Sequence, residues 1–107
     1  MQVRIFPLST NKERTYILLT EVMDLFEPAI QGGSSKQQRA KQLAKVQYGN
    51  CPVIEDDIDF TKKIFRSRSK FVVTKFLDDF NVKNGDLLKL VKVAPYSYRI
   101  TLLESEN

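Results

Sequence analysis

Between positions 62 and 70 the chain reads Lys62-Lys63-Ile64-Phe65-Arg66-Ser67-Arg68-Ser69-Lys70, five cationic side chains in nine residues with no acid among them. Ammonium groups bind phosphate as point charges. Guanidinium forks also match the paired acceptors on the edge of guanine. In an extended chain Lys62, Ile64, Arg66, Arg68 and Lys70 share one side, and Phe65, Ser67 and Ser69 take the other. Such a strand buries Phe65 and holds Arg66 and Arg68 outward, where each could contact a base. The same residues also describe a solvated basic edge strand that discourages pairing with another sheet.

Charge elsewhere is distributed unevenly. Lys36, Arg39, Lys41 and Lys45 form a second acid-free basic window, and Glu55, Asp56, Asp57 and Asp59 form an acidic knot between the two. The net charge of +4 is modest, but phosphate binding depends on local potential and not on the average. The acidic knot reads as a solvated turn or a partner for nearby lysines.

Much chemistry is missing from the chain. There is no histidine, which removes the commonest general base and the commonest metal ligand. The lone cysteine, Cys51, lies between Asn50 and Pro52 with no imidazole to activate it, and reads as a packed thiol. Gly32-Gly33 is followed by Ser34-Ser35 without the Lys-Ser/Thr pair of a phosphate loop, and reads as a flexible hinge. The acidic knot lacks the alternation and central glycine of a calcium loop. No lysine has an acid two positions before it, as a metal-dependent nuclease would require. Tyr96 and Tyr98 could stack on bases, but aromatics in a terminal strand usually belong to the core. The expectation is a binding protein and not an enzyme, with no catalytic residues, metal or cofactor.

These residues must be positioned by a small framework. A length of 107 residues sets one domain spanning 1–107, and 42% apolar with 28% charged residues describes an ordinary folded globule. Val3–Phe6 reads as a strand ended by Pro7, residues 9–14 as a loop or hairpin tip, and Tyr16–Leu19 as a short buried strand. Thr20 is a suitable N-cap for a helix over Glu21–Phe26, which Pro28 stops. Residues 31–35 form a loop. Residues 36–45 are ambiguous: Ser35-x-x-Gln38 resembles a capping box, yet 43–48 before Gly49-Asn50 reads as the first half of a hairpin returning at Cys51–Glu55. The favoured reading is a turn near 36–40 followed by a strand.

Ser69 can cap a second helix, about Lys70–Phe80, with Val73, Phe76, Leu77 and Phe80 as its apolar stripe. Asn84-Gly85 turns into a strand over Leu87–Val93, whose pattern suits cover on both sides, and Ala94-Pro95 leads to a last strand at Tyr96–Leu103. Seven short strands with two short helices predict a mainly β, α+β domain shaped as an open, barrel-like sheet. Apolar runs are far too short to span a membrane. The start carries no secretory h-region and a single cysteine fits a reducing compartment, so a cytoplasmic location is expected.

The series Phe26-Glu27-Pro28, Gly32-Gly33, Glu55-Asp56-Asp57-Ile58, Ile64-Phe65-Arg66-Ser67-Arg68, Asn84-Gly85-Asp86 and Tyr96-Ser97-Tyr98-Arg99 resembles the DNA-binding pseudobarrel of plant B-three transcription factors. It is more similar to the versions that serve bacterial restriction endonucleases as target-recognition domains. The resemblance covers Val3 to Leu103. It implies a seven-stranded pseudobarrel that grips the major groove of double-stranded DNA with two arms and acts as a monomer. Asn11, Lys12 and Arg14 would form the first arm, and Arg66, Arg68 and Lys70 the second. Lys62 and Lys63 would position the backbone, while Lys36 and Arg39 would touch phosphates on the flank. A nuclease subunit or fused catalytic domain is the implied protein partner.

Two other classes remain open. The Asn-Gly-Asp turn also occurs in swapped-hairpin regulators of the AbrB type, which are obligate dimers. A protein-interaction or inhibitor domain could instead dock its basic strand on an acidic partner. A single-stranded RNA module is disfavoured, because aromatic and basic residues do not interleave on one surface strand.

Overall fold

The computed structural model describes residues 1–103. Its larger sheet has five strands: β1 (Gln2–Pro7), β3 (Ala44–Tyr48), β4 (Ile54–Asp56), β7 (Leu87–Ala94) and β8 (Ser97–Leu102), in the order β1-β7-β8-β3-β4. All neighbours are antiparallel except β3 and β8, which run parallel. A smaller sheet holds β2 (Gln31–Gly32), β5 (Ile58–Asp59) and β6 (Ile64–Phe65), with β5 central. The α-helix α1 (Lys70–Asp79) and a six-residue 3-10 helix over Thr20–Leu25 complete the frame.

Strand alternation gives the larger sheet one buried face. Ala44, Val46 and Tyr48 on β3 align with Tyr98 and Ile100 on β8, then with Leu88 and Leu90 on β7 and Phe6 on β1. Val73, Phe76 and Leu77 of α1, together with Leu19, Val22, Leu25, Phe26 and Ile30, close over this face. Phe26 is the joint between the sheets, packing edge-on against Phe65 at 5.5 Å and against Tyr98 at 4.7 Å between ring centres. Gly49 turns β3 away beneath the helix at φ +57°. A Cβ there would lie 2.9 Å from the Phe76 ring, so the turn needs both the left-handed backbone and the missing side chain.

The mainly β, α+β class and most expected elements are present: β1, the β3/β4 hairpin, α1, β7 and β8 fall where periodicity placed them. The seven-stranded barrel does not. Eight short strands form two open, mixed sheets. The expected strand at Tyr16–Leu19 is reduced to one isolated bridge, Thr10 to Ile17, and the expected first helix is 3-10 in form. Residues 36–38 form a short 3-10 turn before β3, as the favoured reading of 36–45 had it. The outer face of β7 is open, with Leu87 and Val93 exposed beside Val3 and Ile5 of β1; it is not covered on both sides. No helix among the described residues is long and apolar enough to cross a membrane.

Candidate nucleic-acid interface

The acidic knot is the corner where the chain passes from one sheet to the other. Asp56 ends β4 in the larger sheet and Ile58 opens β5 in the smaller, so Asp57 occupies the crossing. Asp56, Asp57 and Asp59 are at most 3% exposed, which overturns their reading as a solvated turn. Buried carboxylates must be paired or hydrogen-bonded, and each of these is.

Asp57 takes Arg66. The β5/β6 register sets Ile58 opposite Phe65 and Asp59 opposite Ile64; one step further along, the Arg66 N–H donates to the Asp57 carbonyl at 2.9 Å. The side chains then meet as a fork, Arg66 Nε to Asp57 Oδ1 and Arg66 Nη2 to Asp57 Oδ2, both 2.9 Å. Arg66 also donates to the carbonyl of Gly33 at 2.7 Å and lies 3.9 Å from Asp59. The hydrogen-bonded Asp57 carboxylate pushes the guanidinium's pKa further above its ordinary value, despite burial.

Arg66 therefore lies opposite Phe65, as alternation requires, but that face is covered by the 33–35 loop and not by solvent. It does not project as a base-reading fork. Gly32 is explained by the same close approach: a Cβ there would lie 2.7 Å from Arg66 Nη2 and 2.5 Å from the Gln38 carbonyl, while one on Gly33 would meet the Gln38 side chain at 2.5 Å.

The strand β6 ends at Phe65, and Arg66 adds one last backbone bond before the chain turns. Ser67–Ser69 form a 3-10 turn running into α1, so Arg68 and Lys70 leave the alternation that grouped them with Arg66. Asp56 causes the bend. Its Oδ2 accepts both the Ser69 N–H at 3.0 Å and the Ser69 hydroxyl at 2.9 Å, drawing the chain back against β4. Ser69 thus gives its hydroxyl to Asp56 and makes no side-chain cap on its own helix. Burial raises the pKa of Asp56 even though these donors favour its charged form.

The first arm is also anchored from inside. Asn11 Oδ1 accepts the N–H groups of Thr15 and Tyr16, shaping the tip. Arg14, at φ +58°, donates from Nε to Asp78 at 3.1 Å and from Nη2 to the Val82 carbonyl at 2.7 Å, docking the tip on α1 and the turn after it. Thr74 of α1 donates its hydroxyl to the Arg14 carbonyl. Asn11 and Arg14 are therefore occupied in building the arm. The arms are joined where the Leu19 N–H donates to the Lys63 carbonyl at 2.8 Å.

Between them lies a cleft of about 300 Å³ lined by Thr15 and Tyr16 from the first arm, Ser34 and Lys36 from the glycine loop, and Lys62, Ile64, Phe65 and Lys70 from the second. Asp59 and Arg66 complete the lining. Lys36 from the glycine loop and Lys62 and Lys70 from the two ends of the 62–70 stretch are exposed cations brought to one opening. Lys12, Arg39 and Arg68 are exposed but do not line it, and Lys63 rests its ammonium 5.2 Å above the Phe60 ring. Phe71 was not among the expected site residues. It is 81% exposed on the first turn of α1, beside Lys70. Its position off the 73/76/77 stripe was the available signal.

No family model matches the chain, and no curated protein matches it by sequence. In three dimensions it is similar to the N-terminal domain of Helicobacter pylori LlaJI.R1, with a TM-score of 0.54 at 11% identity. The match covers 100% of this chain and 91% of that one. The two share a fold.

Proposed function

We propose that this chain binds double-stranded DNA in a sequence-dependent manner, as a recognition module of a restriction-type or regulatory system. The observation that carries the reading is the convergence of Lys36, Lys62 and Lys70 on one cleft between two internally braced arms. Three cations gathered from the glycine loop and the second arm create the local potential that a phosphate backbone requires. The fold shared with the N-terminal domain of Helicobacter pylori LlaJI.R1 is compatible with this reading.

In this reading Lys36, Lys62 and Lys70 hold phosphates, with Lys12, Arg39 and Lys63 on the flanks. Arg68 is the exposed guanidinium of the second arm and takes the base-edge contact; Phe71 adds an apolar contact beside it. Arg14, Asn11 and Arg66 are positioning residues. The protein acts by binding and not by catalysis, as a cytoplasmic monomer, and a nuclease subunit or fused catalytic domain would supply any cleavage.

Selection from a random duplex library, run with methylated and unmethylated pools, tests the class directly. Enrichment of one motif is expected, with Arg68→Ala relaxing the preference at one position of that motif. If no duplex is retained even at low salt, the DNA reading is wrong and the basic surface serves an acidic protein partner.

A further inference from the structure

We infer that the cleft between the arms receives one unstacked nucleotide, with its base inside and its phosphates on the lysines at the rim. The inference rests on the DNA reading above and names what part of the DNA enters.

The lining decides between a phosphate site and a nucleotide site. A cleft for phosphate alone needs donors and positive charge throughout. Here the exposed lysines are accompanied by an apolar wall of half-buried Ile64 and buried Phe65, with the half-buried ring of Tyr16 from the opposite arm. Buried Asp59 also lines the space, and a carboxylate there repels a phosphate. The chemistry is therefore divided by depth, with cations outside and apolar surface and an acid within. A nucleotide has the matching division, since its phosphates are anionic while its base offers a flat apolar face and N–H donors on one edge. A volume of about 300 Å³ accommodates one base with room for its sugar.

Asp59 narrows the choice of base. Its Oδ1 accepts the Lys62 N–H at 3.0 Å. Its Oδ2 has a 3.9 Å ion pair with Arg66 and no hydrogen bond among the described residues. Asp59 is the one carboxylate among the residues that line the cleft. A carboxylate there accepts an exocyclic amino group, which cytosine, adenine and guanine carry and thymine does not. Tyr16 supplies a stacking surface for any of these rings.

The test uses the full chain and three forms of one duplex: fully paired, with one cytosine opposite an abasic position, and with one thymine there. Binding is followed by anisotropy and by amide shifts, with dCMP and dTMP as free-nucleotide arms. The unpaired cytosine duplex is expected to bind about tenfold tighter than the paired one, because the helix no longer has to be opened. Shifts should fall at Thr15, Tyr16, Ile64 and Phe65, and Tyr16→Ala should reduce the preference for the unpaired base. If paired and unpaired duplexes bind alike with no shifts at those four residues, the inference is overturned while the DNA reading stands. If neither duplex nor nucleotide binds, both fall. If dCMP binds with those shifts but no duplex does, the cleft is a free-nucleotide site and the duplex reading falls. Equal binding of cytosine and thymine overturns the part assigned to Asp59.

Discussion

Arg66 and Arg68 stand two positions apart and answer to different environments. The Arg66 side chain is 10% exposed and its partner Asp57 is 2% exposed, so removing the guanidinium leaves a buried carboxylate without its counter-charge. Arg66→Ala is expected to cost about 3–5 kcal/mol of folding stability, read by urea unfolding. Arg68→Ala, at an exposed position, is expected to change stability by less than about 0.5 kcal/mol and to act on DNA preference alone. An Arg66→Ala protein as stable as its parent would remove the ion pair from the account. Glu27 sets a pH dependence at the same scale. Burial opposes its ionisation, but donors at Tyr98 Oη, the Tyr96 N–H and Lys92 outweigh it and hold the pKa below the ordinary glutamate value. A lowered carboxylate pKa stabilises the fold above the unfolded value, and that contribution is lost as pH falls through the folded one. The stability gap between the parent and Glu27→Gln should therefore be widest above about pH 5 and close on acidification below the ordinary glutamate pKa. Asp56, with its pKa raised by burial, has the opposite sign: its contribution is present at low pH and lost as pH rises through the folded value.

At the scale of elements, the first arm depends on α1. It reaches the helix through Arg14 to Asp78 and the Thr74 hydroxyl to the Arg14 carbonyl, and the turn after the helix through Arg14 to the Val82 carbonyl. Arg14→Ala cuts two of these three ties and leaves the core untouched. Hydrogen exchange at Asn11–Tyr16 should accelerate while the β7/β8 amides stay protected, because a surface loop opens locally without global unfolding. DNA affinity should fall with it, since Tyr16 and Thr15 are then no longer held at the cleft. Unchanged exchange in the loop would show that the Asn11 turn alone sets the arm. The helix itself was legible from the spacing of Val73, Phe76 and Leu77. Its entry was not: the Ser69 hydroxyl was available as a cap, and only the return of β4 beside it supplied Asp56 as a stronger acceptor.

For the molecule as a whole, binding should be governed by the charges that the fold gathers. If Lys36, Lys62 and Lys70 each neutralise a phosphate, each alanine variant should reduce the slope of log K against log salt by about 0.9. An unchanged slope in all three variants would place the DNA elsewhere. The sequence by itself determined the mainly β, α+β class, the positions of β1, β3, β4, β7, β8 and α1, and the presence of two basic windows. Apolar periodicity and turn residues are local signals, and these elements obey them. It also placed Phe65 inward and Arg66 on the opposite side. What lay on that opposite side was decided only by tertiary structure. The glycine loop folds over Arg66, Asp57 meets it across the β5/β6 ladder, and a side chain suited to reading bases becomes the clamp that holds the corner together. Charge pattern cannot distinguish a free guanidinium from a paired one, because the partner is chosen by register and by loops distant in sequence. For the same reason the cleft was not legible. Lys36 belongs to one basic window and Lys62 and Lys70 to the other, and only the packing of the two sheets and the docked first arm brings the two windows to one opening.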